Sequence, residues 1–302
     1  MAREFKSFYK KASGGEGQKC YYPNRLDTYG CGCEHDCSYC YAKSLLSFRK
    51  LWKPNNPAVA PLDKIERVIK KLPKGSVVRL GGMTDCFQPC ETKYRITYET
   101  IKLLNKYGIG YLIVTKSHLV GEKEYTDIMD KDLAHIQITV TTLDDELSVK
   151  YEKASIPSKR VKALLTLQEL GFDVAIRLSP LISEYMDFDK LNSLGIQKAI
   201  VEFLRVNVWI KQWFNIDYSK HTLSEGGYLH LPLDEKIKLI KQVKIPIISV
   251  CEDVPSHYNY WKNNLNPNRA DCCNLRNSHN EELIINNEES VEQLSLFDYG
   301  NQ

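Results

Sequence analysis

The sequence has no long apolar run, and nothing in its 302 residues approaches the ~18 consecutive apolar residues that a membrane helix needs. It also has little net charge, because 41 basic residues nearly balance 38 acidic ones and leave +3. The basic start, MAREFKSFYKK, lacks the apolar core and cleavage site of a secretory signal. With 43% hydrophobic and 26% charged residues, the composition excludes a wholly disordered or collagen-like chain. We therefore expect a globular protein kept in the cytoplasm, without a membrane partner.

Cysteine, by contrast, is abundant, with ten residues in the chain. Disulfides are rare in the cytoplasm, where thiols are kept reduced. Metal binding or redox chemistry is therefore the better interpretation of these cysteines.

Apolar, β-branched runs alternate with helical patterns along most of the chain. The helical patterns cover 62–72, 94–108, 158–171 and 233–243, and the apolar runs cover 77–82, 110–115, 136–142, 174–179, 199–204 and 245–250. Such alternation predicts a parallel sheet buried on both faces. The spacing favours an α/β fold with a partial (β/α)6-type TIM barrel over a doubly wound open sheet.

The predicted organisation has four parts. They are a flexible N-terminal lead-in (1–24), the barrel (25–250), a C-terminal extension (251–279) and a flexible acidic tail (280–302). The first barrel strand is predicted in DTYGCG (27–32). In such barrels the chemistry lies on the loops that follow the strands, and several of these loops here carry ionisable or thiol groups.

A cysteine cluster directly follows the predicted first strand. Cys33, Cys37 and Cys40 have the spacing C-x3-C-x2-C, and three such thiolates can hold three corners of a cubane iron–sulfur cluster. The fourth iron then has no protein ligand, so an outside molecule can bind it. Zinc is the rival metal, because His35 or Cys31 would complete a closed four-ligand site.

The segment GCEHDCSYCYA resembles the signature of the radical S-adenosylmethionine enzymes, in particular the spore photoproduct lyase branch. The resemblance covers about residues 25–210 and includes the stretch YEKASIPSKR. It implies a [4Fe–4S] cluster on the three cysteines and S-adenosylmethionine (SAM) on the open iron. Reductive cleavage of SAM then gives a 5′-deoxyadenosyl radical, which abstracts hydrogen from a substrate inside a dry barrel. An electron donor such as flavodoxin or ferredoxin is implied as a partner.

The resemblance also implies a set of SAM-binding side chains. Lys116 suits the carboxylate of SAM, because an ammonium supplies a point charge. The matching positions are Tyr41, Thr84, Lys116, Thr139, Arg177 and Ser179. The alternative interpretation is a solvated loop lysine and ordinary threonines at strand ends.

One position departs from the branch. Spore photoproduct lyases carry a hydrogen-donor cysteine two residues before the position of Thr84, where this chain has Gly82. The thymine-dimer reaction therefore cannot be copied across. Cys86 and Cys251 are the candidate replacement donors, with Cys90 nearby, and the alternative for each is a buried small hydrophobe.

A second cluster is a further alternative for the remaining cysteines. Cys272 and Cys273 would join Cys251 or Cys20, although adjacent cysteines seldom bind one structural metal comfortably.

The acidic tail contains Gln293-Leu294-Ser295-Leu296-Phe297, which resembles the pentapeptide that docks bacterial repair proteins on the β sliding clamp. Leu296 and Phe297 would fill an apolar pocket, Leu294 would add area and Gln293 would fix the register. Residues 280–302 carry −6, so the rest of the chain carries +9. A basic body is compatible with phosphate contacts, and a base in duplex DNA would have to be flipped to reach the barrel mouth.

The sequence thus predicts a radical SAM enzyme of lyase or transferase type that repairs or modifies DNA bases and is recruited by the clamp. Two alternatives stay open. One is a radical SAM enzyme acting on RNA, a peptide or a small metabolite, and the other is a non-catalytic zinc-binding module.

Overall fold

A sheet of eight strands forms the centre of the computed structural model, which describes residues 3–12, 20–267 and 271–275. The strands are β1 (Tyr9–Lys11), β2 (Asn24–Leu26), β3 (Tyr29–Gly30), β4 (Ala58–Val59), β5 (Val77–Leu80), β6 (Gly110–Thr115), β7 (Ala134–Thr139), β8 (Asp173–Leu181), β9 (Lys198–Phe203), β10 (Leu223–Glu225), β11 (Tyr228–His230) and β12 (Ile247–Val250). The main sheet has the order β1-β2-β5-β6-β7-β8-β9-β12. β3 pairs with β4, and β10 pairs with β11, in two small antiparallel ladders.

The strands from β2 to β12 in this sheet are parallel, and β1 alone pairs antiparallel, with β2. They lie side by side in chain order, whereas a doubly wound sheet reverses its order at a switch point. The mixed α/β class and the mostly parallel sheet are therefore confirmed, and the strand order is that of a partial barrel. Within the described residues, β1 and β12 are the two edges.

Helices fill the connections between the strands and cover the sheet. They are α1 (Tyr41–Phe48), α2 (Leu62–Ile69), α3 (Glu91–Tyr94), α4 (Ile96–Tyr107), α5 (Lys123–Thr126), α6 (Asp145–Ser148), α7 (Pro157–Glu169), α8 (Phe188–Ser193), α9 (Val208–Trp213), α10 (Leu233–Ile240) and α11 (Pro255–Asn264). Short 3₁₀ turns span His118–Gly121 and Ser183–Tyr185. The four helices predicted from periodicity correspond to α2, α4, α7 and α10.

The hydrophobic core lies between the sheet and these helices. All six residues of β7 are buried, as expected for a strand covered on both faces. On α2, the buried residues Ile65 and Ile69 are four apart and therefore share one face of the helix. Both belong to one large cluster with residues of β5 to β9. The same packing fixes the positions of the carboxyl ends of the parallel strands. The chemistry of such a fold is expected on the loops that follow these ends.

The start of the barrel differs from the prediction. The first parallel strand is β2, which pairs with β5. Residues 27–32 lie outside the main sheet, and two of them form β3, which pairs with β4 in a separate small ladder. The carboxylate of Asp27 accepts hydrogen bonds from the backbone N–H groups of Gly82, Met83 and Thr84, so the chain turns away from the sheet at Asp27. The expected lead-in is also partly ordered, because residues 9–11 form β1 against β2.

The segment after β12 packs back on the sheet. Trp261 of α11 is buried and stacks on Phe203 of β9, with ring centroids 6.5 Å apart. The Asn266 side chain accepts a hydrogen bond from Val250 N and donates one to Val250 O. These contacts bring the residues after Val250 to the carboxyl ends of the strands.

Within the part of the chain that the structure describes, no helix is both long enough and apolar enough to cross a bilayer.

Candidate active site

A cavity of about 740 Å³ lies at the carboxyl ends of the parallel strands. Its walls come from the cysteine segment, from the loops after β5, β6 and β12, and from the ends of β7, β8 and β9. All three cysteines of the predicted cluster line it, with Cys33 and Cys37 buried and Cys40 partly buried. The fourth cysteine of that segment, Cys31, is partly buried and is not among the lining residues.

The backbone of the cysteine segment depends on one glycine. Gly32 has φ +157°, and a Cβ there would lie 2.3 Å from the carbonyl oxygen of Lys53. No side chain fits at that distance, so glycine is required for the close approach of the two segments. After the third cysteine the chain enters α1, where the Cys40 sulfur accepts a hydrogen bond from Lys43 N at 3.4 Å.

A buried polar network anchors the side chain between the second and third cysteines. The Tyr39 hydroxyl donates to Glu152, which also pairs with the guanidinium of Arg160. Arg160 Nη1 donates to Thr139 O at the end of β7, over 2.8 Å. The loop of the three cysteines is thereby tied to the sheet through α7, and Arg160 and Glu152 are both fully buried.

The same stretch also holds the cysteine loop through its backbone. Lys153 N donates to His35 O at 2.7 Å, and Ser38 N donates to Tyr151 O at 2.9 Å. The sequence YEKASIPSKR, residues 151–160, thus supplies both the backbone and the side-chain anchors of the loop.

Asp85 connects three elements beside the cysteines. Its carboxylate accepts from Thr115 Oγ1 at 2.8 Å and from Lys116 N at 2.7 Å, and lies 3.2 Å from His35 Nε2. Burial raises the pKa of Asp85, but His35 and the backbone N–H groups outweigh it and hold the pKa below its ordinary value. His35 Nε2 thus faces this carboxylate, whereas His35 Nδ1 is buried without a hydrogen-bond partner, so one ring nitrogen remains available to a metal.

The six side chains expected to bind SAM all line the cavity: Tyr41, Thr84, Lys116, Thr139, Arg177 and Ser179. Three of their hydroxyls donate hydrogen bonds inside the protein, that of Ser179 to Glu202. Tyr41 OH donates to Gly82 O at 3.0 Å, and Thr84 Oγ1 donates to Tyr29 O at 2.6 Å. These two residues therefore shape the cavity wall, and Thr84 has its hydrogen already donated.

Lys116 is a cation of the cavity wall beside the cysteine loop. Its ammonium lies 5.5 Å from the centroid of the Tyr39 ring. Burial lowers the pKa of Lys116, but the neighbouring Cys37 and Glu152 raise it by more, so the ammonium stays charged.

Several charged residues of the cavity were not predicted from the sequence, among them Arg79, Glu202 and Arg205. Glu202 accepts from Arg177 Nη2 and from Ser179 Oγ, both at 2.7 Å. Burial raises the pKa of Glu202, but Arg177 and Arg205 outweigh it and lower the pKa to about 2. The signal was present in the sequence, because Arg79 and Glu202 each interrupt an otherwise apolar strand run.

The two candidate hydrogen donors lie in different places. Cys86 is 1% exposed, belongs to the hydrophobic core and does not line the cavity, so its assignment as a donor at the barrel mouth is corrected. Cys90 is buried in the same core. Cys251 does line the cavity, directly after β12.

Cys251 is accompanied by three further cysteines of the cavity wall: Cys20, Cys272 and Cys273. A hydrogen bond from the Cys272 thiol and the nearby guanidiniums of Arg177 and Arg79 lower the pKa of Cys273 to about 7, although burial opposes them.

The clamp-like peptide with Gln293, Leu294, Leu296 and Phe297 lies outside the described residues, as does the whole segment 280–302.

Comparison with known proteins gives a family and a fold. The family model of the radical SAM superfamily matches residues 28–189. An uncharacterised protein of Methanocaldococcus jannaschii is 26% identical over 237 residues, which are 73% of this chain and 87% of the relative. An uncharacterised protein of Acidianus two-tailed virus is 23% identical over 234 residues, which are 69% of this chain and 75% of the relative.

Among solved structures, the chain is similar to spore photoproduct lyase. A mutant of that enzyme with dinucleoside spore photoproduct has a TM-score of 0.61 and 15% identity, covering 82% of this chain and 80% of that chain. Another mutant, with bound S-adenosylmethionine and dinucleoside spore photoproduct, has a TM-score of 0.60 at the same identity and coverage. At this identity the likeness establishes a shared fold.

Proposed function

The chain belongs to the radical SAM superfamily, and from this premise we propose that it removes a hydrogen atom from a DNA base or base lesion. The family's cofactors are a [4Fe–4S] cluster and SAM. When bound, they supply a 5′-deoxyadenosyl radical that abstracts the hydrogen atom. The observation that carries the proposal is the meeting of three thiols and a buried ammonium at one cavity: Cys33, Cys37, Cys40 and Lys116.

The thiols fit the cluster by their chemistry and number. Cys33, Cys37 and Cys40 are soft donors on one loop, and three cysteines leave one iron open for an outside ligand. Cys31 does not line the cavity and His35 Nε2 faces Asp85, but His35 Nδ1 has no hydrogen-bond partner in the structure. The zinc-module alternative therefore stays open, and the metal content of the purified protein decides it.

The polar side chains of the cavity have separate tasks in this proposal. The Lys116 ammonium attracts the carboxylate of SAM, since both charges are partly removed from water. Glu202 stays ionised, so its carboxylate places a negative charge in the cavity wall. Hydrogen bonds from Arg177 and Ser179 hold that carboxylate in position. Tyr41 and Thr139 supply wall area beside the cysteine loop. A volume of about 740 Å³ is in the range of cavities that enclose a small-molecule ligand.

Three features support DNA as the substrate class. Residues 1–279 carry +9, and Arg79 and Arg205 line the cavity itself. Tyr228 and Trp209 lie on elements of the same end of the fold, and aromatic side chains stack on bases. The spore photoproduct lyase that shares this fold is known with a dinucleoside lesion. A base would enter the cavity flipped out of the duplex.

The reaction differs from that of spore photoproduct lyase at the hydrogen-return step, because Gly82 stands where those enzymes carry a cysteine. Cys251 is the sequence-predicted donor that faces the cavity. Cys251 acts either as a hydrogen donor or as a metal ligand, because a metal-bound thiolate has no S–H hydrogen to give.

Two partners complete the proposal. A low-potential donor such as flavodoxin or ferredoxin reduces the cluster, and the tail peptide Gln293–Phe297 recruits the enzyme to DNA that carries a β sliding clamp. The clamp claim is tested by comparing clamp retention by the wild-type chain and by Leu296→Ala/Phe297→Ala. We expect the variant to lose retention, and equal retention would refute docking while leaving the enzymatic claim untouched.

The enzymatic claim is tested with anaerobically reconstituted protein, dithionite, SAM and either damaged or undamaged DNA. We expect a brown protein that releases 5′-deoxyadenosine, and mass spectrometry of digested DNA should show a changed base in one of the two DNA arms. The matched control is Cys37→Ala, which should abolish both signals. A colourless zinc protein would refute radical SAM chemistry. Release of 5′-deoxyadenosine with RNA, peptide or metabolite turned over instead of DNA would refute the substrate class alone.

A further inference from the structure

Four cysteines that are far apart in the sequence meet on one wall of the cavity. Cys20 precedes the first parallel strand, Cys251 follows the last, and Cys272 and Cys273 come 21 and 22 residues after Cys251. Cys20, Cys272 and Cys273 pack in one cluster. Cys272 is close enough to Cys251 and Cys273, and Cys20 to the same two residues, to interact with them electrostatically. All four are free thiols.

Hydrogen bonds of the surrounding backbone hold these segments together. Cys251 N donates to Val201 O at 2.8 Å, which aligns Cys251 with β9. Ser249 Oγ donates to Cys272 O at 2.7 Å, which fastens the second segment to β12.

The third segment is fastened through Asp271. Its carboxylate accepts from Cys273 N at 2.8 Å and from Leu275 N at 3.0 Å, and also from the hydroxyl of Tyr22. Tyr22 in turn follows Cys20, whose thiol donates to Tyr22 O at 3.4 Å. Hydrogen bonds therefore hold three separate parts of the chain in place where the four cysteines lie. Cysteines that served only as small buried hydrophobic residues would not need these hydrogen bonds.

The charges around the thiols suit a metal–thiolate centre. Four thiolates with Zn²⁺, or with a [4Fe–4S]²⁺ core, leave a net charge of about −2. Arg79 and Arg177 both lie close enough to Cys273 to interact with its charge. The buried Nε of Arg79 has no hydrogen-bond partner in the structure, so its N–H remains available to a sulfur ligand.

We propose that Cys20, Cys251, Cys272 and Cys273 bind a second metal centre, either Zn²⁺ or an iron–sulfur cluster, in the same cavity as the first three cysteines. Soft thiolates select these metals. Within the described residues no group of three or more His, Cys, Asp or Glu side chains is placed to hold a metal ion, and this holds for Cys33, Cys37 and Cys40 too. The proposal therefore requires the thiols of both groups to move together when the metal binds. Binding here makes Cys251 a ligand and takes away its role as a hydrogen donor.

The experiment separates the two cysteine groups by mutation and counts metal. The full chain is purified anaerobically as Cys33→Ser/Cys37→Ser/Cys40→Ser, which removes the first site. We expect this variant to retain either about one zinc, or about four irons with four acid-labile sulfides, per chain. Elemental analysis and sulfide assay distinguish the two metals, and both results support the proposal. A chain without bound metal overturns it.

Further substitutions in this background locate the site. Adding Cys251→Ser/Cys272→Ser should remove the retained metal, whereas Cys86→Ser/Cys90→Ser, in the core, should leave it. Circular dichroism checks that each variant folds. If the first pair does not fold, the single Cys20→Ser replaces it, and Co²⁺ loading should then show a weakened thiolate-to-metal absorption. The proposal is overturned if the variants at Cys20, Cys251 and Cys272 all retain the metal. These readouts do not involve SAM cleavage, so they stand or fall separately from the proposed function.

Discussion

The ion pair under the cysteine loop gives the sharpest stability prediction. Glu152 is 1% exposed and Arg160 is 0% exposed, and Glu152 also accepts from Tyr39, which lies between two predicted cluster ligands. In Glu152→Gln the shape is kept, but the Arg160 charge stays buried without its counter-ion. Breaking a buried pair in this way costs ~3–5 kcal/mol. With a urea slope of ~3 kcal/mol/M for a chain of this size, the unfolding midpoint should fall by ~1–1.7 M.

The assay is urea unfolding of metal-free protein followed by circular dichroism, because bound cofactors break two-state behaviour. The control is Asp63→Asn, which breaks the exposed pair of Asp63 and Arg67, whose side chains are 70% and 65% exposed. An exposed pair contributes ~0–1 kcal/mol, so its midpoint should move by at most ~0.3 M.

A second variant tests the cause of the loss. Glu152→Gln/Arg160→Met removes the buried charge as well as its partner, and we expect it to recover most of the midpoint, because replacing both members of a buried pair is often nearly neutral. Reconstituted Glu152→Gln should also hold less iron, since Tyr39 loses a charged acceptor. A midpoint shift for Glu152→Gln no larger than that of the surface control would refute the reasoning.

Three other predictions concern the cavity. Lys116→Met should weaken SAM binding about 10- to 150-fold by calorimetry, because a charged hydrogen bond is worth ~1.5–3 kcal/mol, and unchanged affinity would contradict the assigned role. The carboxyl of Glu202 has its pKa lowered from 4.5 to about 2, so its contribution to stability is present above pH 4.5 and is lost as pH falls toward 2. The difference in urea midpoint between wild type and Glu202→Gln should therefore narrow between pH 5 and pH 2. A difference that stays constant over this range would contradict the stabilising role of the ionised Glu202 carboxylate. Gly32→Ala should lower iron loading, because its Cβ meets Lys53 O, whereas Gly75→Ala, where no atom lies within 4 Å, should leave loading unchanged.

Local pattern was sufficient for the parallel strands and the first cysteine group. Strands β5 to β9 are mostly buried on both faces, so their sequences are near-continuous apolar runs that can be recognised without a structure. The edge strand β12 is buried only in its second half, but its sequence is apolar as well. The three cysteines lie within eight residues, so their meeting is a local event. The side chains that follow or end strands, such as Lys116 and Ser179, were predictable because parallel strands end at one edge.

Features that depend on non-local contacts could not be predicted in the same way. Asp27 ends the first strand by binding three backbone N–H groups that come 55 to 57 residues later. Cys86 follows Asp85, which turns to the cavity and His35, while Cys86 itself enters the core, where Thr97 Oγ1 donates to its carbonyl oxygen. Sequence position alone does not say which of two neighbours faces the cavity.

The two cysteine groups lie in different electrostatic surroundings, and this difference bears on their tasks. Among the charges that act on Cys33 and Cys37 are Lys116 and the carboxylates of Asp85 and Glu152, while Lys43 and Lys153 of the surroundings are paired with Asp36. A three-thiolate site with an open iron needs a positive charge mainly where an anionic ligand arrives, and a single lysine meets that need. The second group faces two guanidiniums, those of Arg177 and Arg79, and one carboxylate, that of Asp271. A closed four-thiolate centre carries its whole negative charge itself, so it requires cations and N–H donors around it and no open position. On these assignments, the first site has an open iron that binds and releases an outside ligand. The second site is a closed centre whose metal is bound only by protein thiolates.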